Sequence, residues 1–385
     1  MKVVVSVIGK FHSFDLAREL HARGALAGIF TGYPRFKLSQ ERLPSELIHT
    51  YPWVHTPYMA FPRRNLLGDT AVKAWEYLDR ITLDAHVAGR LPKCDVFVGL
   101  SGSALQSGRA AKQRGARYVC DRGSSHIRVQ DQLLREEHGR WGLPFPGIDP
   151  RVIEREEAEY AEADLITVPS TFALRSFLSQ GVPAGKIRCL PYGVDLSRFA
   201  PTGAPDPEHF DVLFVGGMSL RKGVPYLLRA YRELRHPRKS LTFAGAPSQP
   251  VIDAMKRHAL WPAEARVLGH VPQAQLKDLF SRSHALVLPS IEEGLALVQA
   301  QAMACGCVVV GTAHTGAEDL LTDCQEGFVV RIRDASAIAA RLQQLADAPA
   351  KRAEMGQRAL NRVRALGGWQ QYGDQAVAMY REVLA

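Results

Sequence analysis

The sequence predicts an α/β protein built from two doubly wound, Rossmann-like domains that face a central cleft. Three observations carry this. Short β-rich runs alternate with helical runs along the whole chain, the pattern of parallel sheets covered by helices. The chain of 385 residues is too long for one ordinary core. Pro201, Gly203, Pro205 and Pro207 crowd a polar stretch with the look of a linker. The expected domains are residues 1–202 and 203–366. Residues 367–385, "GGWQQYGDQAVAMYREVLA", form a terminal amphipathic helix able to pack on either domain, with a return to the first domain expected.

In chain order, "KVVVSVI" reads as the opening strand, and "FDLARELHARG" as a helix ended by Gly24. "DVFVGLSG", "ARYVCD" and "ADLITVPS" are short buried strands, and "ALQSGRAAKQRG" and "TFALRSFLSQG" are helices that follow two of them. Beyond the linker, "DVLFVG", "LTFAG", "RVLG", "ALVLPS", "CVVVGT" and "GFVV" repeat the strand signal with helix-length spacers. Ligands of such sheets bind beyond the carboxyl ends of the strands, so the loops there are where chemistry is expected.

Composition narrows the function classes. The opening residues lack a signal-peptide cleavage pattern, and no run approaches eighteen consecutive apolar residues. The six cysteines are scattered, which suggests neither zinc nor a disulfide framework and fits a reduced, cytoplasmic setting. Residues 1–128 hold 19 Lys+Arg against 10 Asp+Glu, whereas residues 129–385 hold 29 of each. The positive charge therefore belongs to the first domain. It lacks the patterning of a nucleic-acid reader, so no nucleic-acid partner is expected. In "YPWVHTPYMAFPRRNLLGDTAVKAWEYLDRI", Trp53, Tyr58 and Phe61 stand beside Arg63 and Arg64. The favoured reading puts the aromatics in the core and the arginines in solvent. The alternative is peripheral contact with an anionic membrane face that carries a lipid-linked acceptor.

Two motifs carry the chemistry. "PSIEEGLALVQAQAMACG" places Glu293 and Gly294 where a loop becomes a helix. The amides of Gly294, Leu295, Ala296 and Leu297 then make a seat for phosphate, reinforced by the helix dipole. Gln301 lies eight residues beyond Glu293, about 12 Å if the span is helical, which suits a nucleotide sugar. A capped amphipathic helix with Glu293 as a first-turn acid is the alternative, and this motif alone does not choose between them. "DVLFVGGMSLRKGVPYLLRAY" then sets Gly216, Gly217, Arg221 and Lys222 between a strand and a helix. The glycines permit close backbone approach, and the cations match a diphosphate. Both motifs follow strands of one domain, and together they favour ligand binding.

These segments resemble the retaining glycosyltransferases of family 4, whose GT-B fold consists of two Rossmann-like domains. The likeness runs from about Leu190 to Val330 through "LPYGVDLSRF", "VGGMSLRKGVPYLLRA", "LGHVPQAQLKDLFSRSHALVLPS", "EEGLALVQAQAMACG" and "GTAHTGAEDL". In the first domain it rests mainly on the opening strand–loop–helix and on "DRGSSHI". The resemblance implies that Glu293 lies near the donor sugar, that position 301 holds the ribose hydroxyls, and that Lys222 meets the diphosphate. Two positions depart from the family pattern. Gln301 replaces a glutamate, and Gly217 replaces an arginine whose charge Arg221 could supply. A family histidine near the reaction centre is assigned to His126, with Asp121 or Arg122 as alternatives. Lys10, His12 and Ser13 in "GKFHSFD" are candidates for acceptor or phosphate contact.

The expected activity is transfer of a sugar, with retention, from a nucleotide-diphosphate donor to a glycan or lipid-linked acceptor. No Asp-x-Asp occurs, so no metal is expected; the nucleotide sugar is a co-substrate, and no other cofactor is called for. The alternatives are a GT-B epimerase or phosphorylase, or a non-catalytic nucleotide-sugar-binding protein.

Overall fold

A computed structural model describes residues 1–61 and 64–385, with only the backbone of residues 64 and 65. The first domain runs β1 (Val3–Val7), α1 (Ser13–Ala22), β2 (Leu26–Thr31), β3 (Ile48–Thr50), α2 (Pro52–Ala60), α3 (Asp69–Arg90), β4 (Val96–Leu100), α4 (Leu105–Gln113), β5 (Arg117–Asp121), α5 (Ile127–Trp141), α6 (Pro150–Glu162), β6 (Leu165–Val168), α7 (Thr171–Ser179) and β7 (Ile187–Cys189). The second runs β8 (Phe210–Val215), α8 (Val224–Glu233), β9 (Lys239–Ala244), α9 (Gln249–Arg257), β10 (Arg266–Val267), α10 (Gln273–Arg282), β11 (Ala285–Leu288), α11 (Leu297–Ala304), β12 (Val308–Thr312), α12 (Ala317–Leu320), β13 (Gly327–Val330), α13 (Ala335–Asp347) and α14 (Pro349–Ala365). A terminal helix, α15 (Gly368–Leu384), closes the chain.

Every strand pair is parallel. The sheets are ordered β3-β2-β1-β4-β5-β6-β7 and β10-β9-β8-β11-β12-β13. The chain therefore reverses its winding between β1 and β4 in one sheet and between β8 and β11 in the other. Loops leaving the carboxyl ends of such neighbours diverge to opposite faces and leave a crevice between them. In the second domain those loops are residues 216–223 and 289–296, the two motifs singled out in the sequence. The central strands are apolar on both faces, as sheets covered by helices on each side require; Val3, Val4, Val7, Val96 and Phe97 are wholly buried.

Between the two sheets, Leu190 packs in the first domain's core, while Val194 and Phe199 pack in the core of the second. The terminal helix α15 packs on α1, with Tyr372, Ala376 and Tyr380 in the first domain's core and Arg23 paired to Asp374 at 2.8 Å.

The expectation that the aromatics of residues 51–81 belong to the core is corrected. Trp53 is 75% exposed, and Met59, Phe61, Leu66, Leu67 and Leu78 are exposed as well. The reason is that α2 lies on α3, with Tyr58 and Phe61 near the Trp75 ring, rather than beneath the sheet. Arg63 lies outside the described residues, as does the side chain of Arg64.

Candidate active site

The second domain's crevice is built by interlocked loops. Gly223 caps α8 at φ 69°, and a Cβ there would come within 1.9 Å of the Pro289 carbonyl. Only glycine combines that backbone with that approach. The Ile291 amide donates to the Arg221 carbonyl at 2.8 Å, so the basic and acidic motifs form one unit. Arg221 Nη1 lies 3.1 Å from the Glu292 carbonyl, 3.4 Å from Glu292 Oε2 and 3.5 Å from Glu293 Oε1. Lys222 Nζ pairs with Glu293 Oε2. Burial works against the Arg221 charge, but the Glu293 and Glu292 carboxylates outweigh it and hold the guanidinium above its ordinary pKa. Gly216 follows β8 beside the Lys222 side chain, and Gly217 faces open space.

The helix of the acidic motif starts later than the sequence suggests. Residues 293–296 are loop, and α11 begins at Leu297. Only four residues, about 6 Å of axial rise, separate Leu297 from Gln301. The Ala296 amide is engaged by the Thr315 carbonyl at 3.1 Å, which removes it from the predicted phosphate seat. Gln299 is structural, donating from Nε2 to the Thr315 carbonyl and accepting from Thr315 Oγ1. Gln301 differs. It is only 8% exposed, yet its Oε1 has no hydrogen-bond partner. With Leu297, Lys10, Asp15, Glu41 and Asp195 it lines a cavity of about 470 Å³. A buried acceptor without a partner is costly. Arg221, Lys222 and Glu293 lie outside this cavity's lining.

The opposite wall comes from loops after β1 and β5. His12, in the loop leading to α1, sits 2.5 Å from Asp121 Oδ2 and stacks on Tyr192 at 4.2 Å. Asp121 also accepts from Thr167 Oγ1 at 2.8 Å. A Cβ on Gly123 would lie 3.5 Å from His12 Cε1, and one on Gly294 would lie 2.0 Å from the Gly123 carbonyl. His12 therefore packs against Gly123, and Gly123 against the residue that follows Glu293. Lys10 Nζ pairs with Glu41 at 2.5 Å, and Ser13 is buried as the first residue of α1.

His126 is corrected. It caps α5, its Nδ1 accepting from the Arg128 amide at 3.3 Å, and its ring packs against Tyr160 and Phe177. Burial pushes its pKa down to about 4. The side chain is spent inside the first domain, and the histidine beside the cleft is His12. Asp121 does reach the cleft. Arg122 lies behind it, 2.7 Å from Glu156.

Sequence reasoning missed Glu292. It is fully buried and reaches across the cleft, accepting from Ser124 Oγ at 2.5 Å, Ser125 Oγ at 2.7 Å, the Ser125 amide at 3.2 Å and Gln130 Nε2 at 3.0 Å. Burial would raise its pKa, but Arg221 and the serine hydroxyls more than offset this and leave it below the ordinary range. The doubled acid in "EEG" was the only signal. Among the described residues, no group of three or more His, Cys, Asp or Glu is placed to hold a metal ion.

Two interlocked loops, a basic pair at a switch point and a facing histidine describe the chain's own architecture. The sequence model described as Glycosyltransferase Family 4 matches residues 11–198, and that of Glycosyl transferases group 1 matches residues 199–362. The chain belongs to glycosyltransferase family 4. The glycogen synthase of Mycobacterium tuberculosis is 30% identical to this family member over 206 residues, 52% of this chain and 49% of that protein. The chain thus spans about half the length of that relative. Among solved structures, sucrose-phosphate synthase from Thermosynechococcus elongatus superposes with a TM-score of 0.74 at 21% identity, covering 100% of this chain and 99% of the other. Anabaena HepE, solved in complex with UDP and glucose, gives 0.72 at 16% identity, covering 99% and 100%. These likenesses establish the GT-B fold.

Proposed function

We propose that the protein transfers a sugar from a nucleoside-diphosphate donor to a glycan or lipid-linked acceptor, with retention at the anomeric carbon and without a metal. The observation that carries this reading is the Arg221–Lys222 pair at the β8/β11 switch point, set against Glu292 and Glu293. A diphosphate entering there exchanges carboxylate partners for phosphate oxygens on both cations. Lys222 then releases Glu293 to accept from sugar hydroxyls. As the bond from anomeric carbon to phosphate breaks, charge grows on the departing diphosphate, and the two fixed cations stabilise it. The unpartnered Gln301 Oε1 is an acceptor suited to a ribose hydroxyl. His12, held by Asp121, would lie on the sugar's other side.

Thermal unfolding with UDP, GDP and ADP tests the donor site, with UDP first because Anabaena HepE carries it. A ligand at 100 times its Kd adds about 2.7 kcal/mol to wild-type stability, and Lys222→Ala should abolish that shift. No shift with any nucleotide would overturn the reading. Retention requires the product to keep the donor's anomeric configuration by NMR, and metal independence requires full rate in a chelator. The first domain's excess of positive charge, together with exposed Trp53, Met59 and Leu66, supports peripheral contact with an anionic bilayer. Sedimentation with phosphatidylserine vesicles, lost in Trp53→Ser, is the expected result; no sedimentation of wild type refutes it. No helix among the described residues is long and apolar enough to cross a membrane.

A further inference from the structure

Helix α5 belongs to the first domain by sequence but is fastened to the second at both ends. Near its start, Gln130 Nε2 donates to Glu292 Oε2 at 3.0 Å, alongside the serine contacts from residues 124 and 125. At its far end, Trp141 is buried in the second domain's core, edge-on to Tyr226, with the Arg229 guanidinium 4.8 Å from its ring. Glu137, wholly buried, accepts from Trp141 Nε1 at 2.9 Å and from Arg333 Nε at 2.8 Å. The helix that carries Gln130 therefore cannot swing away from the donor domain without dislodging a buried tryptophan and its ion-paired glutamate.

The decisive detail is that one oxygen serves two masters. Glu292 Oε2 accepts from Gln130 of the first domain and faces Arg221 Nη1 of the second at 3.4 Å. We infer that Glu292 is a positioning residue that divides itself between Arg221 and the 124–130 segment, so that the first domain sets how much of the Arg221 charge is free for the donor's diphosphate. This rests on the donor reading above. Strengthening the grip of Gln130 on Oε2 frees Arg221; weakening it lets the carboxylate hold the guanidinium harder. An exposed salt bridge would be screened and too weak for this, but Glu292 has no access to solvent.

The sign of the effects tests it. Calorimetric affinity for UDP and GDP is measured in wild type, Arg221→Ala, Glu292→Gln, Gln130→Ala and the Glu292→Gln/Gln130→Ala double variant. Arg221→Ala should lose more than about tenfold. Glu292→Gln, which keeps the shape but removes the competing charge, should bind about threefold to tenfold more tightly. Gln130→Ala should bind about threefold more weakly, and that loss should vanish in the double variant. A merely structural Glu292 would weaken binding along with stability, and Gln130→Ala would then act equally in both backgrounds; either result overturns the inference. If Glu292→Gln does not fold, Gln130→Ala decides alone, since unchanged or tighter binding refutes the sharing of Oε2. Wild type that binds neither nucleotide, or Arg221→Ala that binds as well as wild type, removes the donor reading instead.

Discussion

Replacing Gln301 separates a ligand-binding amide from a structural one, because the two roles predict opposite signs. Its Oε1 is buried and has no partner, and the residue lines a cavity of about 470 Å³. An unsatisfied buried acceptor costs about 1–3 kcal/mol. Gln301→Leu removes that oxygen at similar volume, so the ligand-free protein should gain stability on the order of 1 kcal/mol. The same change deletes the acceptor for a ribose hydroxyl, so nucleoside diphosphate affinity should fall about tenfold, roughly 1.4 kcal/mol. Gln301→Glu runs the other way. A carboxylate here would be only 8% exposed, and its burial should destabilise the free protein, a cost that Lys10, Arg18, Arg42 and Arg198 of the same lining reduce. It should also strengthen the hydroxyl contact by about 1 kcal/mol, near fivefold in Kd. Thermal unfolding without ligand and calorimetry with UDP or GDP read the two terms separately. If Gln301→Leu loses stability and leaves nucleotide affinity unchanged, the amide is structural and the ribose assignment is wrong.

Gly294→Ala drives a Cβ to within 2.0 Å of the Gly123 carbonyl; backbone against backbone cannot give, so stability should fall by about 1–3 kcal/mol and small-angle scattering should show a wider interdomain separation. His12→Asn and Asp121→Asn should each cut turnover at least about tenfold while leaving nucleoside diphosphate affinity within about twofold of wild type, because the proposed reading puts both residues on the sugar side. Equal losses in affinity would reassign them. His126, buried neutral with a pKa near 4 against 6.5 unfolded, makes the unfolded state the better proton binder between those values, so stability should rise with pH across that window and be lost as pH falls through it. His126→Asn keeps the cap and should flatten the unfolding profile there by on the order of 1–3 kcal/mol, with turnover at pH 7 retained.

The parts of the molecule that are legible in one dimension are those whose cause is local. The glycines and cations of residues 216–223 and the loop after "LVLPS" were readable because a strand–loop–helix passage has its own residue requirements, and the switch point then brings both loops together. Strands β3 and β7 carried weaker signals, being three residues long, partly exposed and at the two edges of the sheet. His126 misled because spacing within "DRGSSHI" says nothing about rotation: the backbone turns at Ser125 and sends the ring into Tyr160 and Phe177. His12 could be ranked above it only by knowing that β1 and β5 end on the same side, which places Asp121 within reach. Glu292 shows the same limit, since its first-domain partners lie 162–168 residues away.

The charge balance of the site gives the arrangement its logic. Two cations fixed near one another would repel and would draw water or stray anions into the cleft. Glu292 and Glu293 neutralise them at rest, so an entering phosphate gains only the difference between a new ion pair and an old one. A bare anion offers little beyond exchange. In the reading proposed above, a nucleoside-diphosphate sugar would add a hydroxyl for Gln301 and sugar hydroxyls for the released Glu293, so its binding energy would come from contacts made together rather than from charge alone. Selectivity against free phosphate then follows from the carboxylates themselves, and neutralising Glu293 would weaken that selectivity even where it strengthened binding of the simplest anions.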